Sequence, residues 1–279
     1  MAGLSTILLQ PAVSRARADP ARGEDPMALR LLYCAPVLRS ALAIVSVILF
    51  TLLLGLPALI LSLANPSGDW IVRFGRWWAG SICAASGVRV EARGLDNLPT
   101  AGSYLLIANH KSHFDLLAFL KTYPSSFRVV AKRALFRIPI FGWCLSAAGM
   151  IPIDREKRMR SVASLDEAAE MIRTGVPVLF FAEGTRSRAE ELLPFKKGAF
   201  AIALKTGLPI VPVSIAGGLA ILPKGSLGIR PGTIVIRYGA PIPSVGPAPI
   251  TRNELAARVR AAVEAGLELD RPPTAAGGA

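Results

Sequence analysis

The sequence predicts an α/β domain with a largely β-sheet core flanked by helices, preceded by an N-terminal hydrophobic membrane helix or helical hairpin. Three observations carry this expectation. After about residue 87, short runs rich in β-branched and aromatic residues alternate with stretches of helical periodicity. From Ser40 to Gly68 there is no charged residue. With 52% hydrophobic and only 18% charged residues, the 279-residue chain also has ample apolar area for a core, which excludes disorder for its bulk.

Residues 1–26 are rich in Ala, Arg, Pro and Gly, and Arg15, Arg17 and Arg22 balance Asp19, Glu24 and Asp25. With no sustained apolar period they read as a disordered extension, and Met27 opens what looks like a second beginning. Residues 27–86 read as a membrane-associated helical segment. Its charge-free stretch exceeds the ~20 residues that cross a bilayer at about 1.5 Å each, and it is too long for the apolar region of a signal peptide, about 7–15 residues. A buried core helix that long and apolar all round would be unusual. Gly55 and Pro57 interrupt the stretch, since proline removes an amide donor and clashes with the preceding turn. A kinked span and a re-entrant hairpin both remain open. Arg30 and Arg39 on one flank, and Arg73, Arg76, Trp70, Trp77 and Trp78 on the other, resemble interfacial anchors. Positive charge on both flanks favours a hairpin that returns to its starting side.

Residues 87–270 read as the α/β domain. Strands are expected at 88–94, 103–109, 127–132, 149–154, 176–183, 208–217 and 233–239, where Val, Ile, Phe and Tyr concentrate between Gly and Pro signals. Apolar residues at helical spacing mark 159–174 and 195–206. Thr251 and Glu254 form a T-x-x-E capping box ahead of Leu255, Val259 and Val263, with Gly266 as the expected stop. Residues 271–279, RPPTAAGGA, read as a flexible tail.

The net charge is +13, which suggests nucleic acid, anionic lipid or phosphorylated substrates as partners. Nearly half of it lies in 128–160, where eight basic residues face only Asp154 and Glu156. No nucleic-acid motif or interleaved aromatic platform accompanies that block, so no nucleic-acid partner is expected. Cys34, Cys83 and Cys144 are odd in number and widely spaced, which argues against a disulfide framework or a zinc site and for a reducing compartment. His110 and His113 are the only histidines, so histidine chemistry has one address.

That address is NHKSHFD, residues 109–115, which follows an expected strand. Ser112 and Asp115 can cap the start of a helix, and the turn can fold the Asp115 carboxylate onto the His110 imidazole. An aspartate bonded to one ring nitrogen fixes the tautomer and leaves the other nitrogen to take a proton from a hydroxyl. Equally, His110 could satisfy backbone groups while Asp115 serves only as a cap. A metal site is not expected, because the candidate ligands crowd one short segment. His113 reads as solvent-facing or packing, and Ser112 lacks the G-x-S-x-G elbow of a nucleophile. The second constellation is FFAEGTRSR, residues 180–188, a strand ending abruptly in Glu183, Gly184, Thr185 and Arg186. The glycine permits a sharp turn, so that the following amides and Arg186 can face an anion. Arginine offers a planar fork suited to phosphate oxygens. Lys132, at a strand end, can bind phosphate as a point charge, and PFKKGAF (194–200) leads a basic turn into a helix. Taken singly, each of these has an ordinary reading as a solvated lysine or a polar turn.

Together and in this order, the residues resemble the glycerolipid acyltransferase family. Its N-H-x4-D block is matched by Asn109, His110 and Asp115. Its second block is matched by Lys132, Pro139, Gly142, Gly149 and the pair Asp154 and Arg155. Its F-P-E-G-T-R-S block is matched by Phe181, Glu183, Gly184, Thr185, Arg186 and Ser187, and its apolar V-P-V strand by Ile210 to Val213. The resemblance covers about residues 75–240. Ala182 replaces the usual proline, and Ala134 stands where an acidic residue is common.

The resemblance implies a glycerolipid acyltransferase-like fold and an acyltransferase that moves a fatty acyl group from acyl-CoA or acyl-carrier protein to the sn-2 hydroxyl of lysophosphatidic acid, giving phosphatidic acid. No cofactor is implied; the thioester is a co-substrate. His110 and Asp115 are the expected catalytic pair, with Lys132, Glu183, Gly184, Thr185, Arg186 and Arg188 at the acceptor. Expected partners are lysophosphatidic acid, an acyl thioester, membrane lipids and acyl-carrier protein, and the expected location is the cytoplasmic face of the inner or plasma membrane. The alternatives are acylation of glycerol-3-phosphate, of a lysophospholipid with a head group or of a lyso-ornithine lipid, and, from another class, a non-catalytic membrane protein that binds anionic lipid or nucleic acid.

Overall fold

A computed structural model of the chain describes residues 26–153, 172 and 175–270, with side chains from Leu38 onward. The expected extension at 1–26 (apart from Pro26), the helix expected at 159–174 (apart from Ile172), Asp154 and Arg155, and the tail at 271–279 lie outside the described residues.

Seven strands form one sheet: β1 (Val88–Arg93), β2 (Leu105–Ala108), β3 (Arg128–Lys132), β4 (Ile151–Ile153), β5 (Val178–Phe181), β6 (Ile210–Ala216) and β7 (Gly232–Tyr238), in the spatial order β1-β7-β6-β2-β5-β3-β4. Each falls inside a stretch that the sequence marks as strand, except that β7 begins one residue before the expected 233–239. β2 pairs parallel with both β5 and β6, and β5 with β3, so the C-terminal ends of these four strands share one edge of the sheet. β7 is antiparallel to β6 and starts at that same edge. All four residues of β2 are fully buried, as expected for a central parallel strand covered on both faces. One face packs under Phe114, Phe119, Tyr123 and Phe127; the other packs under Phe200, Leu255 and Val259.

The helices that cover the sheet are α2 (Asp69–Ala85), α3 (Phe114–Thr122), α4 (Phe141–Ala147), α5 (Gly198–Thr206) and α6 (Arg252–Leu269). The Thr251 hydroxyl accepts from the Glu254 amide at 3.2 Å, while the Glu254 carboxylate accepts from the Thr251 amide at 2.7 Å, so the capping box forms as its sequence signature requires. Gly266 does not end α6. The helix runs on to Leu269, and a β-carbon at 266 would stand 2.2 Å from Ser214 Oγ, so the glycine is there for close packing against β6.

The apolar N-terminal stretch is one unbroken helix, α1 (Pro26–Ala64), and neither Gly55 nor Pro57 divides it. Gly55 is a packing residue: a β-carbon there would lie 3.0 Å from Ile140 and 3.4 Å from Cys144 Sγ. The reversal comes later, at 65–68, where Gly68 adopts φ 78° before α2 begins. The helical hairpin is therefore α1 with α2, not a fold within 40–68. Leu38–Ala64 is long and apolar enough to cross a membrane. Yet Ser40, Ala43, Thr51, Leu54, Ala58 and Ser62, spaced by three, four or multiples of these, are sheltered, while Leu42, Ile44, Leu49, Leu53 and Ile60 are exposed. One stripe of α1 thus lies along the body of the protein, and the opposite apolar face is bare.

Candidate active site

The chain leaves β2 at Ala108, on the edge where four strands end, and the side chain of Asn109 continues the sheet. Its Nδ2 donates to Ile215 O at 2.9 Å, and Ile215 N donates to its Oδ1 at 2.8 Å, extending the β2–β6 ladder after the backbone has turned away. In the turn that follows, His110 Nδ1 lies 2.9 Å from Asp115 Oδ2. The same oxygen accepts from the amides of Lys111 at 2.6 Å and Ser112 at 2.8 Å. Asp115 is fully buried, in the first turn of α3, so its carboxylate is fixed by backbone donors and a helix N-terminus at once. Bonding at Nδ1 leaves Nε2 as the ring nitrogen able to accept a proton. The imidazole stacks on Phe181 with centroids 4.1 Å apart.

The second constellation is tied to the first through the backbone. His110 N donates to Glu183 Oε1 at 2.7 Å, and Ser187 N donates to His110 O at 2.8 Å. Glu183 Oε2 accepts from Leu193 N at 2.9 Å, and the residue is 1% exposed. Glu183, expected at the acceptor, therefore has both oxygens engaged by amides and acts as an internal brace that sets the height of His110. Burial raises its carboxyl above the ordinary range, opposed by the two amide bonds and the charge of Lys111. A native-state value raised above the unfolded one means that this group's contribution is largest at low pH and is lost as pH rises through the raised value. The difference in melting temperature between wild type and the non-titrating Glu183→Gln variant should therefore grow in favour of wild type as pH falls from 7 to 5. A difference that shrinks over that range would contradict the sign.

Gly184 takes φ 69°, turning the chain sharply, and among the described residues the next two amides, of Thr185 and Arg186, have no hydrogen-bond acceptor. Arg186 is half-buried; burial lowers its value, while Asp115 is close enough to oppose that shift. The exposed ring of His113, at the N-cap of α3, is held low by desolvation and then by the charges of Arg186 and His110. Arg188 is exposed, and Lys132 is exposed at the end of β3, two strands along the same edge. All the expected site residues thus sit at the carboxyl edge, where open α/β sheets bind ligands.

Several contributors carried no role in the sequence reading. Phe181 and Ser187 lie within recognised motifs, but their contacts to His110 require β5 to sit beside β2. Lys224 Nζ donates to Thr185 Oγ1 at 2.9 Å from a loop that carries no periodic signal. Gly218, after β6, would place a β-carbon 2.3 Å from Asp115 Oδ1 and 3.0 Å from Ser112 Cβ. Gly218→Ala should therefore displace the carboxylate and lower turnover by roughly ten- to a hundredfold, at a stability cost of about 1–3 kcal/mol. Turnover and thermal melting of the purified variant measure both, and wild-type turnover would show that the carboxylate tolerates displacement. The amides of His110, Lys111, Ser112 and Phe114 all have internal acceptors, so these four are not free to stabilise an oxyanion. Cys83 and Cys144 are pushed up to about 11 by burial, so neither is a thiolate nucleophile at neutral pH.

A histidine–aspartate pair at the carboxyl edge of an α/β sheet, beside a turn that carries Arg186, is an arrangement suited to taking a proton from a hydroxyl near an anionic group. Residues 89–216 match the family model described as Acyltransferase. The chain is similar to the chloroplastic 1-acyl-sn-glycerol-3-phosphate acyltransferase BAT2 of Brassica napus, 35% identical over 195 residues, covering 65% of this chain and 56% of the relative. It is 34% identical over 175 residues to the alpha form of the human 1-acyl-sn-glycerol-3-phosphate acyltransferase, covering 62% of each. The chain thus spans somewhat over half the length of these curated relatives. The crystal structure of the 1-acyl-sn-glycerophosphate (LPA) acyltransferase PlsC of Thermotoga maritima superposes with a TM-score of 0.76 at 26% identity, covering 86% of this chain and 98% of that one.

Proposed function

We propose that the protein transfers a fatty acyl group from an acyl thioester, acyl-CoA or acyl-carrier protein, to the sn-2 hydroxyl of 1-acyl-sn-glycerol-3-phosphate, forming phosphatidic acid for phospholipid synthesis. The observation that carries this reading is the 2.9 Å contact between His110 Nδ1 and Asp115, held by the backbone beside the turn that bears Thr185 and Arg186. His110 Nε2 takes the proton of the acceptor hydroxyl, and Asp115 stabilises the imidazolium that forms. The alkoxide attacks the thioester carbonyl, the tetrahedral intermediate collapses, and the thiol leaves with the proton from His110. No covalent enzyme intermediate and no cofactor are invoked. Arg186, Arg188 and Lys132 hold the acceptor phosphate and so position its hydroxyl, an effect able to supply a large share of the acceleration.

The bare apolar face of α1 supports membrane association, since lipid acceptor and product both reside in a bilayer. Because the opposite stripe of α1 lies along the protein body, the reading is that the helix rests in one leaflet and carries the domain with it, on the cytoplasmic face where soluble thioesters are available. One labelled thioester offered with a panel of acceptors tests the proposal: lysophosphatidic acid, glycerol-3-phosphate, a lysophospholipid with a head group and a lyso-ornithine lipid. Labelled phosphatidic acid is the expected product; faster acylation of any other acceptor would reassign the substrate.

A further inference from the structure

We infer that Lys224 is a further cation of the acceptor site and that it sets a preference for a terminal phosphate monoester over a phosphodiester head group. This inference rests on the acyl-transfer reading and deepens it. Lys224 lies beyond residue 216, where the family match ends, and outside every motif that pointed to the site.

Three features carry it. First, the ammonium is placed: Lys224 is half-buried and donates to Thr185 Oγ1 at 2.9 Å, on the turn whose Thr185 and Arg186 amides lack acceptors among the described residues. Second, its loop is fastened to the catalytic turn and to the apolar helix. Ser112 Oγ donates to Leu222 O at 3.0 Å, Arg230 N to Ile221 O at 3.0 Å, and Ile229 N to Ser40 Oγ at 3.0 Å, in a buried contact. The lysine thus sits on a loop tied both to the catalytic turn and to α1. Third, a second cation lies beside it. The next residue, Gly225, has Arg188 Nη2 3.9 Å from its would-be β-carbon, and among the described residues neither Lys224 nor Arg188 has a carboxylate within ion-pair distance.

An anion placed beside cations that lack a carboxylate partner is attracted to each of them. Thr185 takes only one of the three ammonium N–H donors, which leaves two for ligand oxygens. A phosphate monoester offers three terminal oxygens and up to two negative charges near neutral pH, while a phosphodiester offers two terminal oxygens and one charge. The extra oxygen and charge are what a third cation is suited to bind. Thr185 is then a positioning residue, acting through Lys224.

The test uses the full chain in detergent–lipid micelles. Lys224→Met keeps the apolar stem, and Lys224→Arg keeps the charge. For Lys224→Met, KM for lysophosphatidic acid should rise about ten- to a hundredfold, the range of one lost charge-assisted hydrogen bond, with the effect concentrated in KM. The kcat/KM preference for lysophosphatidic acid over lysophosphatidylglycerol should fall by about tenfold or more. Lys224→Arg should restore most of the preference. Thr185→Val should act in the same direction and be non-additive with Lys224→Met. Inorganic phosphate should raise the melting temperature of wild type more than that of Lys224→Met, a readout that needs no turnover. Equal losses for monoester and diester acceptors, with phosphate stabilisation intact, would make Lys224 a strut of the loop and overturn the inference. Lys224-dependent phosphate stabilisation in a protein that acylates no phosphate monoester would instead keep the anion site and remove the acceptor reading.

Discussion

His110→Ala should lose thioester-dependent acyl transfer by at least about two orders of magnitude, the usual contribution of a positioned general base, while remaining folded. The fold should survive because the main chain at 110 is held independently of its side chain. The amide donates to Glu183, and the carbonyl accepts from Ser187. The ring itself contacts Phe181 and Asp115, and its loss leaves Asp115 Oδ2 with two amide donors. Initial rates with saturating acceptor, beside circular dichroism and a thermal melt, separate chemistry from folding. Near-normal turnover would rule out the assignment of His110 as base.

Asp115→Asn should be nearly as damaging to catalysis and more damaging to stability. The two amides at Lys111 and Ser112 need an acceptor, so the amide oxygen will occupy the Oδ2 position and keep the imidazole close. The charge that stabilises imidazolium is then gone, which should cost roughly two to four orders of magnitude in kcat. The new NH2 must take the place of Oδ1, which is buried, has no hydrogen-bond partner and abuts Gly218. Two donors without acceptors there should cost about 1–3 kcal/mol. Because the pair acts as a unit, a double variant of His110 and Asp115 should be little slower than the worse of the two single variants. Multiplicative losses would mean that Asp115 works through some route other than His110.

How much of this was legible beforehand depended on the range of the interaction. The seven strands were readable because each is a short β-branched run between turn signals, and the capping box because Thr251 and Glu254 are three residues apart. Gly266 and Pro57 misled for one reason: each has a local meaning, helix stop or helix break, that packing overrides. Gly266 makes room for Ser214. Around Pro57, the helix is continuous and its sheltered stripe packs against the body. Glu183 was expected at the acceptor because it sits in a polar turn; only the neighbouring strand supplies the amide that turns it inward.

The chain by itself determined its strand segments and its apolar N-terminal helix, and it allowed the pairing of His110 with Asp115 without deciding between that and a plain helix cap. All of these are set by backbone geometry over separations of a few residues. Which strand ends meet was decided only in three dimensions. The sheet order puts β5 and β6 on either side of β2, and so brings Glu183 and Ser187 to the backbone of His110, Asn109 to Ile215 and Gly218 to Asp115. Residues 73 to 106 positions apart in the sequence meet there because one buried parallel strand must satisfy its hydrogen bonds and cover both faces at once, a demand that no local pattern encodes.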